Sequence, residues 1–260
     1  MGGNALARRA AGHDPSSAEC ALPIATTRLR LLGGFDLRSG DSVVSLPFNV
    51  RRLIALLAVR GRPQDRATVS GMLWMDMTQS RAHANLRSTL WKLRGHRESI
   101  VASSADQIWL APQVDVDITR ALAQAKRLVN PAQNLSVDGV EIDELSQELL
   151  PDWDEEWLRH EREQFRQLRM HALETMCRSL ASRGRNAEAI YAGHAAVTAD
   201  PLRESAHRAL IKAHLAEGNA SEARRQYELY RKLLWEHLRM SPSPMMTKLL
   251  PPPCVGRFLA

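Results

Sequence analysis

Hydrophobic positions change their period part-way along the chain. In "RLRLLGGFDLRSGDSVVSLP", Leu29, Leu31 and Phe35 alternate with polar residues and are broken by Gly33-Gly34 and Ser39-Gly40-Asp41, which predicts short antiparallel strands joined by turns. In "NVRRLIALLAVRG" the apolar positions Val50, Leu53, Ile54, Leu57 and Ala58 follow a helical period. The spacing predicts an amphipathic helix capped by Asn49 and stopped at Gly61. "DRATVSGMLW" predicts a shorter helix with Val69, Met72 and Leu73 inward, and a third helix is expected from a Ser80 cap to Arg94, ending at Gly95. "ESIVASSADQIWLAP" then predicts a hairpin: Ile100 and Val101, a polar turn, Ile108 and Leu110.

Past Pro112 the strand signals stop. "DVDITRALAQAKRLV" predicts a helix capped by Asp115 or Asp117, with Ile118, Leu122, Ala125 and Val129 on one face, and Pro131 to Gly139 reads as a loop. Farther on, Gly184, Glu188 and Ala189 recur as Gly218, Glu222 and Ala223, an offset of 34 residues; Leu173 and Leu180 recur as His207 and His214. That period is the tetratricopeptide unit, two antiparallel helices burying small and large side chains between them. Leu173, Leu180, Ala189, Ala196 and Pro201 take the bulky, small and terminating positions of the first unit. The second keeps Leu210, Ala223, Tyr227 and Tyr230, but has Trp235 in place of the proline. The expected fold is mainly α: an N-terminal winged helix (α+β) over 28–111, then an all-α tetratricopeptide-like helical repeat domain over 112–250. Residues 1–27 are expected to be a disordered tail and 251–260 a short C-terminal tail.

Charge sharpens this division. The 260-residue chain has 35 Lys and Arg against 29 Asp and Glu, a net charge of +6, so an anionic partner is compatible. From Val50 to Arg97 the bases are Arg51, Arg52, Arg60, Arg62, Arg66, Arg81, Arg87, Lys92, Arg94 and Arg97, against the acids Asp65 and Asp76 alone. From Glu141 to Glu163 the balance reverses, with Arg159 and Arg162 the only bases among ten acids. An acidic joint after a basic half suggests domains with different partners, and it could also fold back and mask the basic half. Cys20, Cys177 and Cys254 are far apart and form no CxxC pair, which fits a reducing cytoplasm. No apolar run approaches the roughly 18 residues that span a bilayer, and the N-terminus makes a poor signal peptide. The expected setting is the cytoplasm, at the nucleoid, without a membrane.

Candidate chemistry concentrates in "SRAHANLRSTLWKLRGHR", Ser80 to Arg97, which contains no carboxylate. Leu86, Leu90 and Leu93 form one stripe; at 100° per residue the opposite arc holds Arg81, Ala84, Asn85, Arg87, Ser88, Trp91 and Lys92. Arg, Asn, Ser and Lys suit base edges in a major groove, and Arg and Lys neutralise phosphates. Arg81, Asn85, Ser88, Trp91 and Lys92 are therefore the candidates for base contact, and Arg87, Arg94 and Arg97 for phosphate contact. The hairpin turn carries Asp106, so no contact is assigned there. Trp153 and Trp157 are expected to anchor the acidic helix start on the repeat, and His207 and His214 occupy core-type repeat positions. No GxxxxGK[ST], GxSxG or HExxH occurs; no catalytic site, metal or cofactor is expected.

"LRSTLWKLR" resembles the recognition-helix signature of the OmpR-type winged-helix domain, with Leu90, Leu93 and Arg94 on its fixed positions. Residues 115 to 250 resemble the bacterial transcriptional activation domain of the Streptomyces antibiotic regulatory protein family through "LLPDWDEEWLRHERE", "ADPLRESAHRALIKAHLAEGNASEARRQYELYRKLL" and "SPSP". The resemblance implies a sequence-specific transcriptional activator of secondary-metabolite (antibiotic) genes. It implies binding to direct repeats in double-stranded DNA upstream of a promoter, with self-association of two copies in tandem, and contact with RNA polymerase holoenzyme. The alternative is a tetratricopeptide adaptor whose winged helix binds protein instead of DNA; an affinity insensitive to salt would favour it.

Overall fold

The computed structural model describes residues 27–93, 97–130, 139 and 141–250, with the side chains of Arg97 and Glu98 excepted. The expected tails lie outside the described residues except Thr27, which opens the first strand, and so does all of the expected loop Pro131–Gly139 but its last residue. The order is β1 (Thr27–Arg30), β2 (Asp36–Ser39), β3 (Ser42–Val43), α1 (Phe48–Arg60), β4 (Gln64–Asp65), α2 (Arg66–Leu73), α3 (Gln79–Lys92), α4 (Arg97–Ile100), β5 (Val101–Ser103), β6 (Gln107–Leu110) and β7 (Val114–Val116). Helices follow: α5 (Asp117–Val129), α6 (Ile142–Ser146), α7 (Glu156–Ser182), α8 (Asn186–Ala199), α9 (Glu204–Glu217), α10 (Ala220–Leu238) and α11 (Pro244–Thr247). The chain is thus mainly α, with a strand-containing N-terminal region and a repeat-like helical region.

One sheet runs β3-β2-β1-β7 and the other β4-β6-β5. Leu29 faces Leu37 across the antiparallel β1–β2 pair and Val116 across the parallel β1–β7 pair. The strand β7 corrects the expectation that strands end at Pro112: "VDV" is too short to show a period, and its pairing with β1 is non-local. Three expected caps shift. The helix α1 begins at Phe48, flanked by Pro47 rather than Asn49; Thr78, not Ser80, precedes α3; and Val116 precedes α5. Asp117, expected as a cap, is the first residue of α5 and turns its carboxylate to the backbone of β1's exit. Gly61 ends α1 at φ 60°, in the left-handed region that glycine enters without strain.

The apolar core is continuous through both regions, from Leu29, Leu53 and Leu86 to Leu149, Leu173 and Ala213. The acidic joint makes this possible. Leu150 N donates to Leu31 O at 2.9 Å and Gly33 N to Glu148 O at 2.8 Å, so the joint runs against the exit of β1. Trp153 stacks on Phe35 (5.8 Å between centroids) and tilts against Phe48 (5.4 Å). It therefore anchors the joint on the N-terminal region and not on the repeat, a correction with a simple cause: the aromatic partners lie more than a hundred positions upstream. Trp157 is buried and donates from Nε1 to Glu155 at 2.9 Å.

In the repeat, Leu173, Leu180, Ala189, Ala196, Leu210 and Ala223 are fully buried, and Gly184 and Gly218 turn the chain at φ 76° and 90°. The helix α8 stops at Ala199, before Pro201, whereas α10 runs through Trp235 to Leu238. A Cβ on Gly193 would lie 3.0 Å from Leu210 Cδ1 and 3.2 Å from Leu210 Cα and Cys177 Sγ. Gly193→Ala gains up to about 1 kcal/mol of helix propensity but forces a backbone contact. Overpacking wins, and we expect a net loss of about 1–2 kcal/mol. Urea denaturation of the full chain checks this; a raised midpoint would contradict the close α8–α9 approach.

Candidate nucleic-acid interface

The leucine stripe of α3 is inward, with Leu86, Leu90 and Leu93 at most 4% exposed beside buried Ala82 and Thr89. This seating fixes which arc is outward. Arg81, Ala84, Arg87, Ser88, Trp91 and Lys92 are exposed, and Trp91 is 61% accessible despite its size. Asn85 is half-buried, its Nδ2 donating to Met77 Sδ at 3.1 Å, so it is less available than its place on the arc suggested. Arg94 lies outside the described residues; Arg97 opens α4, and its side chain is likewise outside them.

Two kinds of arginine now separate within the basic half. On α1, Arg52 Nε lies 2.6 Å from Glu155 and Arg60 Nη1 2.7 Å from Glu161, all four side chains largely shielded from solvent. The acidic joint does fold back, but onto α1. Arg81, Arg87 and Lys92 on α3 meet no carboxylate among the described residues. The sequence alone could not distinguish these groups, since both are basic residues on amphipathic helices.

The β5–β6 hairpin closes with Ser104 N donating to Gln107 O at 2.9 Å. Asp106 is exposed at its tip, and its carbonyl accepts from Arg66 N at 2.9 Å. The Arg66 guanidinium donates to Ser104 O at 3.2 Å, which brings a cation to a turn whose own sequence has none. No local signal could have found this, because the partners are 38 positions apart.

Three buried polar groups hold the rest in place. Asp117, 6% exposed, accepts from Leu31 N at 3.0 Å, Leu32 N at 2.9 Å and Ile118 N at 2.6 Å. Burial raises its carboxyl above the usual value, outweighing the opposite pull of those three N–H groups. Arg169, 1% exposed, donates to Ser146 O at 2.9 Å and ties the joint to α7. Glu174 accepts from Arg203 Nε and Ser205 Oγ, both at 2.6 Å. His207 and His214 are buried, as their repeat positions required, and burial lowers both imidazoles below the ordinary value. His207 Nε2 faces Pro201 O at 2.9 Å and Nδ1 faces Gln226 Nε2 at 2.8 Å, the pattern of a neutral ring donating from Nε2. Burial pushes the Cys177 thiol up to about 12, which leaves it a packing group at neutral pH. Among the described residues no three His, Cys, Asp or Glu side chains gather to hold a metal, and no helix is long and apolar enough to cross a membrane.

Residues 116–250, just over half of the chain, match the family model described as bacterial transcriptional activator domain. A solved structure, Mycobacterium tuberculosis EmbR in complex with a low-affinity phosphopeptide, is similar with a TM-score of 0.65 at 20% identity. The match covers 86% of this chain and 64% of that one, so this chain spans less than two thirds of it. At that identity the likeness concerns the fold alone. No curated protein matches the sequence.

Proposed function

The chain belongs to the bacterial transcriptional activator domain family, and from that membership we propose that it is a sequence-specific DNA-binding activator whose α3 enters the major groove. One observation carries this: α3 presents an open cationic arc on a buried leucine stripe, while the acidic joint has taken Arg52 and Arg60 of α1 and left α3 alone. In this reading residues 28–111 bind DNA and residues 112–250 meet other proteins. Arg81, Asn85, Ser88, Trp91 and Lys92 face base edges, with Arg87, Arg94 and Arg97 toward phosphates. Direct repeats upstream of secondary-metabolite promoters, tandem copies and RNA polymerase holoenzyme complete the proposal.

Selection of bound random duplexes supplies the operator, and gel-shift titration then tests the roles. Lys92→Ala is expected to cost about 1–3 kcal/mol on the operator and relax sequence preference. Arg94→Ala should weaken operator and scrambled duplex alike and reduce the salt slope by about one. Equal losses for both variants on both duplexes would reject the assignment. An affinity unchanged between roughly 50 and 200 mM salt would favour a protein-binding adaptor.

A further inference from the structure

The inner face of α10, with Ala223, Gln226, Tyr230 and Leu234, is buried, and α10 packs on α9. Its outer face is charged, as the last helix of a repeat array ordinarily is, but its C-terminal end adds large apolar side chains to the charges. Trp235 is 54% exposed, Leu238 49% and Met240 57%. Glu228, Lys232, Trp235 and Arg239 follow one another at intervals of three and four residues, so they form a seam along this face. The Arg239 guanidinium lies 5.8 Å from the Trp235 ring centroid. Beside the tryptophan is a hollow of about 530 Å³ walled by Glu228, Arg231, Lys232, Met240 and Ser241.

We propose that this seam is a docking surface for a second copy of the chain, the two α10 helices packing antiparallel about a two-fold axis. The seam is complementary to itself in that orientation alone. Within one chain Glu228 pairs with Arg231 at 2.7 Å and Lys232 with Glu236 at 3.8 Å, both exposed pairs that are free to re-partner. With the axis between Leu233 and Leu234, Glu228 faces Arg239 of the second copy and Lys232 faces its Trp235, an ion pair and a cation–π contact made twice. A parallel arrangement would set Glu228 on Glu228 and Lys232 on Lys232, which repel. Ridge and hollow adjoin on the same seam, so each Trp235 has a cavity to enter. The surface also explains why Trp235 replaces the proline of the repeat: the extra turns of α10 that it permits carry Leu238 and lead to Arg239 and Met240. On direct repeats, where successive copies are related by translation, this contact joins a copy to one on another DNA segment.

Sedimentation velocity of the full chain, from about 1 to 100 μM, tests the proposal without DNA. A reversible dimer is expected, weakened about tenfold or more by Trp235→Ala. Trp235 is exposed, so the thermal midpoint should hold. Glu228→Lys and Arg239→Glu should each weaken the dimer, and the two together should restore it, because the ion pair is then reversed but intact. A monomeric wild type, a dimer indifferent to Trp235→Ala, or a double variant no better than the singles would each overturn it. Affinity for a single-site duplex is read in parallel. Its loss or absence would count against the DNA reading, not against this interface.

Discussion

Replacing Arg81, Arg87 and Lys92 together with glutamate is expected to lower operator affinity by about a thousandfold or more while leaving the fold intact. All three side chains are exposed and meet no carboxylate among the described residues, so no structural ion pair is lost. On DNA, Arg87 is the phosphate contact of the three and contributes by releasing condensed counterions. The slope of log K against log salt should therefore fall by about one, while the lost base contacts of Arg81 and Lys92 and the repulsion from the new carboxylates supply the rest of the affinity loss. Fluorescence anisotropy at several salt concentrations measures both affinity and slope, and circular dichroism melting controls for folding. An unchanged slope would remove α3 from the interface. Arg52→Ala is the instructive contrast. It leaves Glu155 shielded from solvent without its guanidinium, so stability should fall while the salt slope of binding stays in place.

That contrast marks where the sequence stops being informative. The arc of α3 was legible because a 3.6-residue period needs only the segment itself: once Leu86, Leu90 and Leu93 are inward, Arg81, Arg87 and Lys92 must be outward. The repeat was legible for a similar reason, since Gly184 and Gly218 mark equivalent helix ends 34 residues apart. What could not be read depends on chain segments that meet only in the fold. Arg52 and Arg60 look as free as Arg87 until Glu155 and Glu161 arrive from a hundred residues away. Trp153 invites pairing with nearby Trp157, yet it stacks on Phe35 and tilts against Phe48. The buried charges Arg169 and Glu174 carried no marker at all, because a helical pattern says which face is inward but not which polar residue there has a partner.

Asp117 belongs to that second group, and the largest stability effect is expected from it. Its carboxylate closes β1's exit against the start of α5, serving Leu31 N and Leu32 N from 86 and 85 residues away. In Asp117→Leu both N–H groups remain buried with no acceptor at about 1–3 kcal/mol each, so a loss of about 2–6 kcal/mol is expected in urea denaturation. This is a large share of the roughly 5–15 kcal/mol that holds a domain together. Asp117→Asn keeps one acceptor oxygen and should lose less. The two residues also differ in pH dependence. Burial raises the folded carboxyl above its ordinary 3.8, so the folded state keeps this proton to a higher pH than the unfolded chain does. The contribution of Asp117 is then greatest below 3.8 and declines as pH rises through the raised folded value, where the unfolded chain has already ionised. The advantage of wild type over Asp117→Asn should therefore shrink from acid toward neutral pH. A difference that instead grew as pH rose through 3.8 would mean that the carboxylate is already ionised in the folded state at acid pH, held there by its three N–H donors against the cost of burial.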